Sequence, residues 1–191
     1  MPSLSMRSIG PVSRTISVLV LAATFSTVHA AQPGPDDAIQ RIRLLPPGPG
    51  NPRNSEGDFI RLADGRILFV YTHFTSGAAD HSTALLAGRY SDDDGKTWSQ
   101  SDQIIVANDA GQNIMSVSLL RLADGRIALF YAKKNSLTDC RPVMRISTDE
   151  GKSFGPPSLC VDEVGYYVLN NDRAVQLSSG RLVLPLALHN R

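Results

Sequence analysis

Two short motifs that recur together predict an all-β chain organised as a β-propeller, a radial stack of four-stranded blades. Leu62-Ala63-Asp64-Gly65-Arg66-Ile67 returns as Leu122-Ala123-Asp124-Gly125-Arg126-Ile127, and more loosely as Leu177-Ser178-Ser179-Gly180-Arg181-Leu182, at offsets of 60 and 55 residues. In the same frame Ser91-Asp92-Asp93-Asp94-Gly95-Lys96-Thr97-Trp98 is followed 56 residues later by Ser147-Thr148-Asp149-Glu150-Gly151-Lys152-Ser153-Phe154. Two unlike motifs repeating at one spacing mark a repeat architecture. No helical periodicity interrupts them.

Each Asp-Gly-Arg or Ser-Gly-Arg lies between two runs of β-formers, such as Asp58-Phe59-Ile60-Arg61-Leu62 and Ile67-Leu68-Phe69-Val70-Tyr71. An apolar run, a two-residue Asp-Gly turn and a second apolar run form a hairpin signature. A third strand precedes each aspartate-rich turn (84–90 and 143–146) and a fourth follows it (103–107 and 158–161). Four strands per unit at this period describe a propeller blade, with a β-sandwich of evenly spaced strands as the alternative.

The expected boundaries are blade one over 58–107, blade two over 115–162, and the inner hairpin of blade three over 172–191, about two and a half blades. Propellers close with four to eight blades. The chain therefore reads as part of a ring, truncated before closure. Within an N-terminal segment of 31–57, Ile39 to Leu45 suits the outer strand that would close a last blade.

Arg7 and Arg14 precede the apolar run 16–25, and Val28-His29-Ala30 follows. A basic flank, a short apolar stretch and an Ala-x-Ala-like site are the parts of a secretory signal peptide, so residues 1–30 are expected to be removed near Ala30 and the chain exported. The run is too short to span a bilayer. Removal of the leader takes two arginines and no acids, so 19 basic residues become 17 against 18 acidic ones, a net charge of −1. That balance argues against nucleic acid or an anionic membrane as partner, since either requires concentrated positive charge.

Ser-x-Asp-x-Gly-x-Thr-Trp is the Asp-box of the sialidase (neuraminidase) superfamily. Ser91, Asp93, Gly95, Thr97 and Trp98 match it at every defined position; Ser147, Asp149, Gly151, Ser153 and Phe154 match with Ser for Thr and Phe for Trp. The physical logic is a tight turn in which the aspartate accepts backbone N–H groups, glycine takes a positive φ, and the aromatic packs beneath. Over residues 53–190 the chain resembles exported bacterial sialidase-like proteins. The resemblance implies a six-bladed propeller cleaving terminal sialic acid with a tyrosine nucleophile, an acid/base aspartate and three arginines on the substrate carboxylate. Such a tyrosine departs from the two-carboxylate scheme of most glycosidases. The nucleophile is expected in a late blade beyond this chain.

In an antiparallel blade the turns joining strands one and two, and three and four, share one rim. The remaining loops gather on the opposite rim, where a rigid scaffold commonly carries binding residues. Asp80 lies in such a loop, where the resemblance places an acid/base, and the apolar residues Gly77-Ala78-Ala79 are expected to keep its pKa high. Arg53 and Arg173 stand at the approaches to blades one and three and are candidate carboxylate forks. Arg53-Asn54-Ser55 departs from the family's Arg-Ile-Pro. Glu56, His81, Asp139, Arg141 and Tyr167 complete the candidate substrate-binding set, with a glycan as the expected partner. Each can instead serve a structural pair or a packed position.

Cys140 and Cys160 fall close together across the second Asp-box if strands three and four pair, which allows a disulfide unless the thiols face opposite sides of the pleat. His73, His81 and His189 lack zinc-ligand spacing, and neither a metal nor a cofactor is expected. The reading is an exo-acting sialidase-like hydrolase. The alternatives are a non-catalytic glycan-binding propeller, or a propeller glycosidase or lyase acting on another sugar.

Overall fold

The structure, a computed structural model, describes residues 41–189. The leader, and Ile39 and Gln40 of the proposed closing strand, lie outside the described residues; the rest of that strand, Arg41 to Leu45, is not in a sheet. Strands β1 (Asn54–Arg61), β2 (Ile67–Phe74), β3 (Ala84–Ser91) and β4 (Gln103–Val106) form one antiparallel sheet in chain order. Strands β5 (Asn113–Arg121), β6 (Ile127–Lys134), β7 (Cys140–Ser147) and β8 (Ser158–Leu159) form a second. A third hairpin follows, in which β9 (Tyr167–Val168) pairs with β12 (Ala187–Leu188) and β10 (Val175–Gln176) with β11 (Leu182–Val183).

The inner strands start at Asn54, Asn113 and Tyr167, earlier than the expected 58, 115 and 172. The cause is a break at an equivalent point in each. Glu56, Ser116 and Asp172 take left-handed backbone conformations (φ 45°, 62° and 53°), and the registers of β1 and β5 shift across Ser55/Asp58 and Met115/Ser118. An extra residue in one strand lets pairing resume upstream, where the alternation of apolar side chains has been lost.

The Asp-Gly turns are longer than two residues. Gly65 donates to the Leu62 carbonyl (3.0 Å) and the Leu62 amide to the Arg66 carbonyl (2.8 Å), leaving a three-residue loop with Gly65 at φ 91°. Leu122 to Arg126 and Leu177 to Arg181 repeat the pattern. A turn followed by glycine in the left-handed region is the common three-residue hairpin connection. Asp64 reinforces it by accepting the Arg66 amide (3.1 Å) and pairing with its guanidinium (2.8 Å).

Alternation along β6 explains the stacking. Ile127, Leu129 and Tyr131 meet Ile60, Leu68, Val70 and Leu86 of the first sheet, while Ala128 and Phe130 meet Leu169, Ala174, Leu182 and Leu186 of the third hairpin. A strand buried on both faces needs such a continuous apolar run, and burying each large side chain contributes about 1.5–3 kcal/mol. The middle sheet thus lies between two neighbours. A two-sheet sandwich has no such layer, so the arrangement is that of successive propeller blades.

Polar staples fasten blade to blade. The buried Asp58 accepts the amides of Phe59 and, in the next blade, Leu119, both at 2.7 Å; burial nevertheless holds its pKa above the ordinary value, those amides opposing the shift. Asn171 reaches back to the Gly57 carbonyl (3.4 Å).

The two cysteines do not pair. The Cys160 amide donates to the Pro142 carbonyl (2.9 Å), so Cys160 stands two residues along β7 from Cys140 rather than opposite it. Cys140 is buried beside Phe74, Ala84, Met115 and Ala132, and Cys160 is exposed.

Candidate functional site

Both Asp-boxes adopt the turn their residues dictate. Asp93 accepts the Thr97 amide (2.8 Å) and hydroxyl (2.7 Å), Ser91 Oγ accepts the Gly95 amide (2.8 Å), and Trp98 donates to the Gly95 carbonyl (3.0 Å). Asp149, Ser147, Gly151 and Ser153 reproduce these contacts within a few tenths of an ångström. The hydroxyl and amide donors of Ser153, with Ser147, hold Asp149 down at about 2. These turns and the three Gly-Arg turns lie on one rim, as the pairing of β1 with β2 and β3 with β4 requires.

On the opposite rim Arg53 and Asp80 form an ion pair, Nη1 to Oδ1 at 2.6 Å. Arg53 enters β1 from a short turn that Asn51 closes, and its guanidinium also donates to the Ala78 carbonyl (3.1 Å) and lies 4.5 Å from the Phe74 ring centroid. Asp80 is at the tip of the loop between β2 and β3, with its side chain 72% exposed. The Arg53 hydrogen bond is the main cause of a carboxyl pKa below the ordinary range; the charges of Lys134 and His81 add to it. This overturns the expectation that the apolar loop would raise the pKa. The loop leaves the carboxyl in water and against a cation, and both favour the ionised form.

Asp80, but not Arg53, borders a cavity of about 160 Å³, lined also by Glu56, Ser116, Lys134, Tyr167 and Asn170. Glu56 is there because the β1 break turns it inward, and the buried Tyr167 because β9 runs along the edge of the second blade. Asn113 and Lys134, the first residue of β5 and the last of β6, are buried and reach the Asp80 loop. Asn113 Nδ2 donates to the Asp80 and Ser82 carbonyls (2.9 and 2.8 Å), and Lys134 Nζ to the Asp80 carbonyl (2.7 Å). No local sequence pattern signals that a lysine ending one blade's strand will meet the preceding blade.

The remaining candidates do not gather here. Arg141 pairs with Asp139 (2.8 Å), which also accepts from Asn135 (2.9 Å). Arg141 lines a different hollow of about 270 Å³ with Asp109 and Lys133, which form an ion pair of their own. Arg173 is exposed beside a third hollow of about 340 Å³ bordered by Asn170 and Pro185. His81 is exposed next to Asp80. Among the described residues no group of three or more His, Cys, Asp or Glu is placed to hold a metal.

A stack of four-stranded antiparallel sheets with Asp-box turns on one rim is a sialidase-like propeller architecture. The chain is accordingly similar to a sialidase of Micromonospora viridifaciens, with 30% identity over 95 residues, half of this chain and 13% of that protein. Among solved structures it is similar to a Dyadobacter fermentans protein of unknown function (TM-score 0.59, 17% identity, 73% of this chain and 47% of that one). It also matches the Trypanosoma rangeli sialidase solved with 2,3-difluorosialic acid (TM-score 0.54, 19% identity, 71% and 26%) and the NanB sialidase of Streptococcus pneumoniae (TM-score 0.57, 14% identity, 85% and 44%). The chain thus spans between about an eighth and half the length of these relatives. No family model matches it.

Proposed function

We propose that the protein is part of an exo-acting, sialidase-like glycoside hydrolase that releases a terminal acidic sugar from glycans, exported once residues 1–30 have been removed. The observation that carries this reading is the Arg53–Asp80 pair on the rim opposite the Asp-boxes, with Asp80 itself lining the cavity. It sets a carboxylate-binding cation and a proton-carrying group one hydrogen bond apart. Arg173 is the second anion-binding arginine of the proposal, and Glu56 and Tyr167 contact the sugar from the cavity walls. A tyrosine nucleophile and further arginines of a longer protein complete it.

In the free site the Arg53 hydrogen bond holds the Asp80 carboxyl below the ordinary aspartate range. An incoming sugar carboxylate competes for the same guanidinium, whose planar fork suits it. Once Arg53 has turned to the substrate, Asp80 has lost the hydrogen bond that lowers its pKa, and the bound sugar brings a negative charge and displaces water; all three shift the carboxyl towards the protonated form a general acid needs. The test is hydrolysis of a fluorogenic sialoside by the protein expressed from its complete reading frame. Asp80→Asn is expected to lower kcat by about 10²–10⁴-fold; unchanged turnover removes Asp80 from the mechanism.

The same ion pair favours a second reading, a non-catalytic glycan-binding propeller in which Asp80 only steadies Arg53. Saturable binding of a sialylated oligosaccharide by a protein that never hydrolyses it would select this reading.

A further inference from the structure

We propose that Lys134 and Asn113 of the second blade are positioning residues that hold the Asp80 loop of the first. The proposal deepens the hydrolase reading and rests on it for its catalytic consequence. Within blade one, loop 75–83 is fastened by the Thr75 amide and hydroxyl donating to the Thr83 carbonyl (2.9 and 3.2 Å), the Ser82 amide to the Ala79 carbonyl (2.9 Å), the Thr83 amide to Ser76 Oγ (3.3 Å) and Arg53 to the Ala78 carbonyl (3.1 Å). Its tip is exposed, and a salt bridge between partly exposed groups is a weak tether. The strong attachments come from across the blade interface, where three hydrogen bonds of 2.7–2.9 Å converge on the carbonyls of Asp80 and Ser82.

Both donors are buried, Asn113 completely and Lys134 to 4% exposure. Lys134 sits in no ion pair among the described residues; the Asp80 carbonyl and the face of the Tyr166 ring, 5.5 Å from Nζ, surround it instead. A buried ammonium with no carboxylate in direct contact is expensive unless strong hydrogen bonds compensate. Met115, Ala132 and Cys140 of the neighbouring apolar cluster line the same cavity as Lys134, so its hydrogen bond to the Asp80 carbonyl, rather than packing, accounts for a cation at this position. The arrangement fixes the Asp80 backbone while leaving its carboxylate free to exchange partners. It also makes the loop's position depend on docking of blade one against blade two.

Hydrogen exchange of the full chain tests the clamp independently of activity. In Lys134→Met, which keeps the side chain's bulk, the amides of Thr75, Ser82 and Thr83 are expected to exchange at least tenfold faster, while those of β2 and β6 keep their protection. Unchanged exchange at those three amides overturns the proposal. Should Lys134→Met fail to fold, Asn113→Ala is read by the same criterion, and loss of folding in both overturns a positioning role in favour of a purely structural one. In the complete protein Lys134→Met is expected to lower kcat on the fluorogenic sialoside at least tenfold with KM within about twofold; a change confined to KM is evidence against positioning. A wild-type protein that hydrolyses no sialoside refutes the hydrolase reading while the exchange data still decide the clamp.

Discussion

Glu150 of the second Asp-box accepts hydrogen bonds from both terminal nitrogens of Arg121, at 2.6 and 2.8 Å, and its second oxygen also takes the amide of Ala63 in the preceding blade (2.7 Å). Blade one uses the same scheme in reduced form, with Arg61 paired to Asp94 at 2.8 Å. In the third hairpin Gln176 accepts the Ala123 amide (2.8 Å), the counterpart of Ala63. The variable positions of the Asp-box are therefore not idle: they tie each turn to its own inner strand, and the second box also to the preceding blade.

This linkage has a pH signature. The Arg121 hydrogen bonds hold the Glu150 carboxyl at about 2, against an ordinary 4.5. Because the folded-state value is depressed, the stabilisation is present in full above pH 4.5 and is lost as the pH falls towards 2. Glu150→Gln is expected to lower Tm at pH 7 and to converge with the parent chain near pH 2. Thermal melts across that range check it, and a gap that persists undiminished at pH 2 would assign the effect to packing instead.

Gly151 and Gly65 separate two costs of adding a methyl group. Both have positive φ, 75° and 91°, but a Cβ at Gly151 would lie 2.8 Å from Leu68 Cδ2 across the blade interface, while one at Gly65 meets nothing within 4 Å. Gly65→Ala should cost about 1–2 kcal/mol for the left-handed backbone alone, and Gly151→Ala about 2–4 kcal/mol because the interface must also yield. Urea denaturation of the two variants measures the difference; equal losses would mean the interface relaxes freely.

The cysteines should behave independently under non-reducing conditions. Partial burial pushes both thiols up to about 11, so accessibility separates them: the exposed Cys160 should react with a thiol reagent in the native chain, whereas the buried Cys140 is shielded until the chain unfolds. Mass spectrometry after labelling should find one modification in the native chain and two after denaturation. A protein that takes up no label in either state contains a disulfide.

Asp80 should titrate higher once Arg53 is removed. Since the Arg53 hydrogen bond is the largest influence lowering the Asp80 pKa, Arg53→Gln is expected to move the carboxyl titration, followed by NMR, upward towards the ordinary aspartate range. No movement would show that the pair is not formed in solution.

Much of the fold was legible before any coordinates. Asp64-Gly65 and the Asp-boxes encode their turns in adjacent residues, so spacing alone placed the hairpins, the rim bearing the boxes and the opposite rim bearing Asp80. The strand starts were missed because left-handed breaks at Glu56, Ser116 and Asp172 interrupt the alternation on which strand reading depends. Of the candidate site, Asp80 and Arg53 do meet, while Arg141 is diverted to Asp139 and Cys160 falls two residues out of step with Cys140.

The sequence by itself determined the repeat, the turn chemistry and the sheets, because each follows from contacts between residues a few positions apart. Only the tertiary structure decided which side chains stand around Asp80. Asn113 and Lys134 reach it from a neighbouring sheet, and their arrival depends on bulge register and blade docking, which no contiguous stretch of chain encodes.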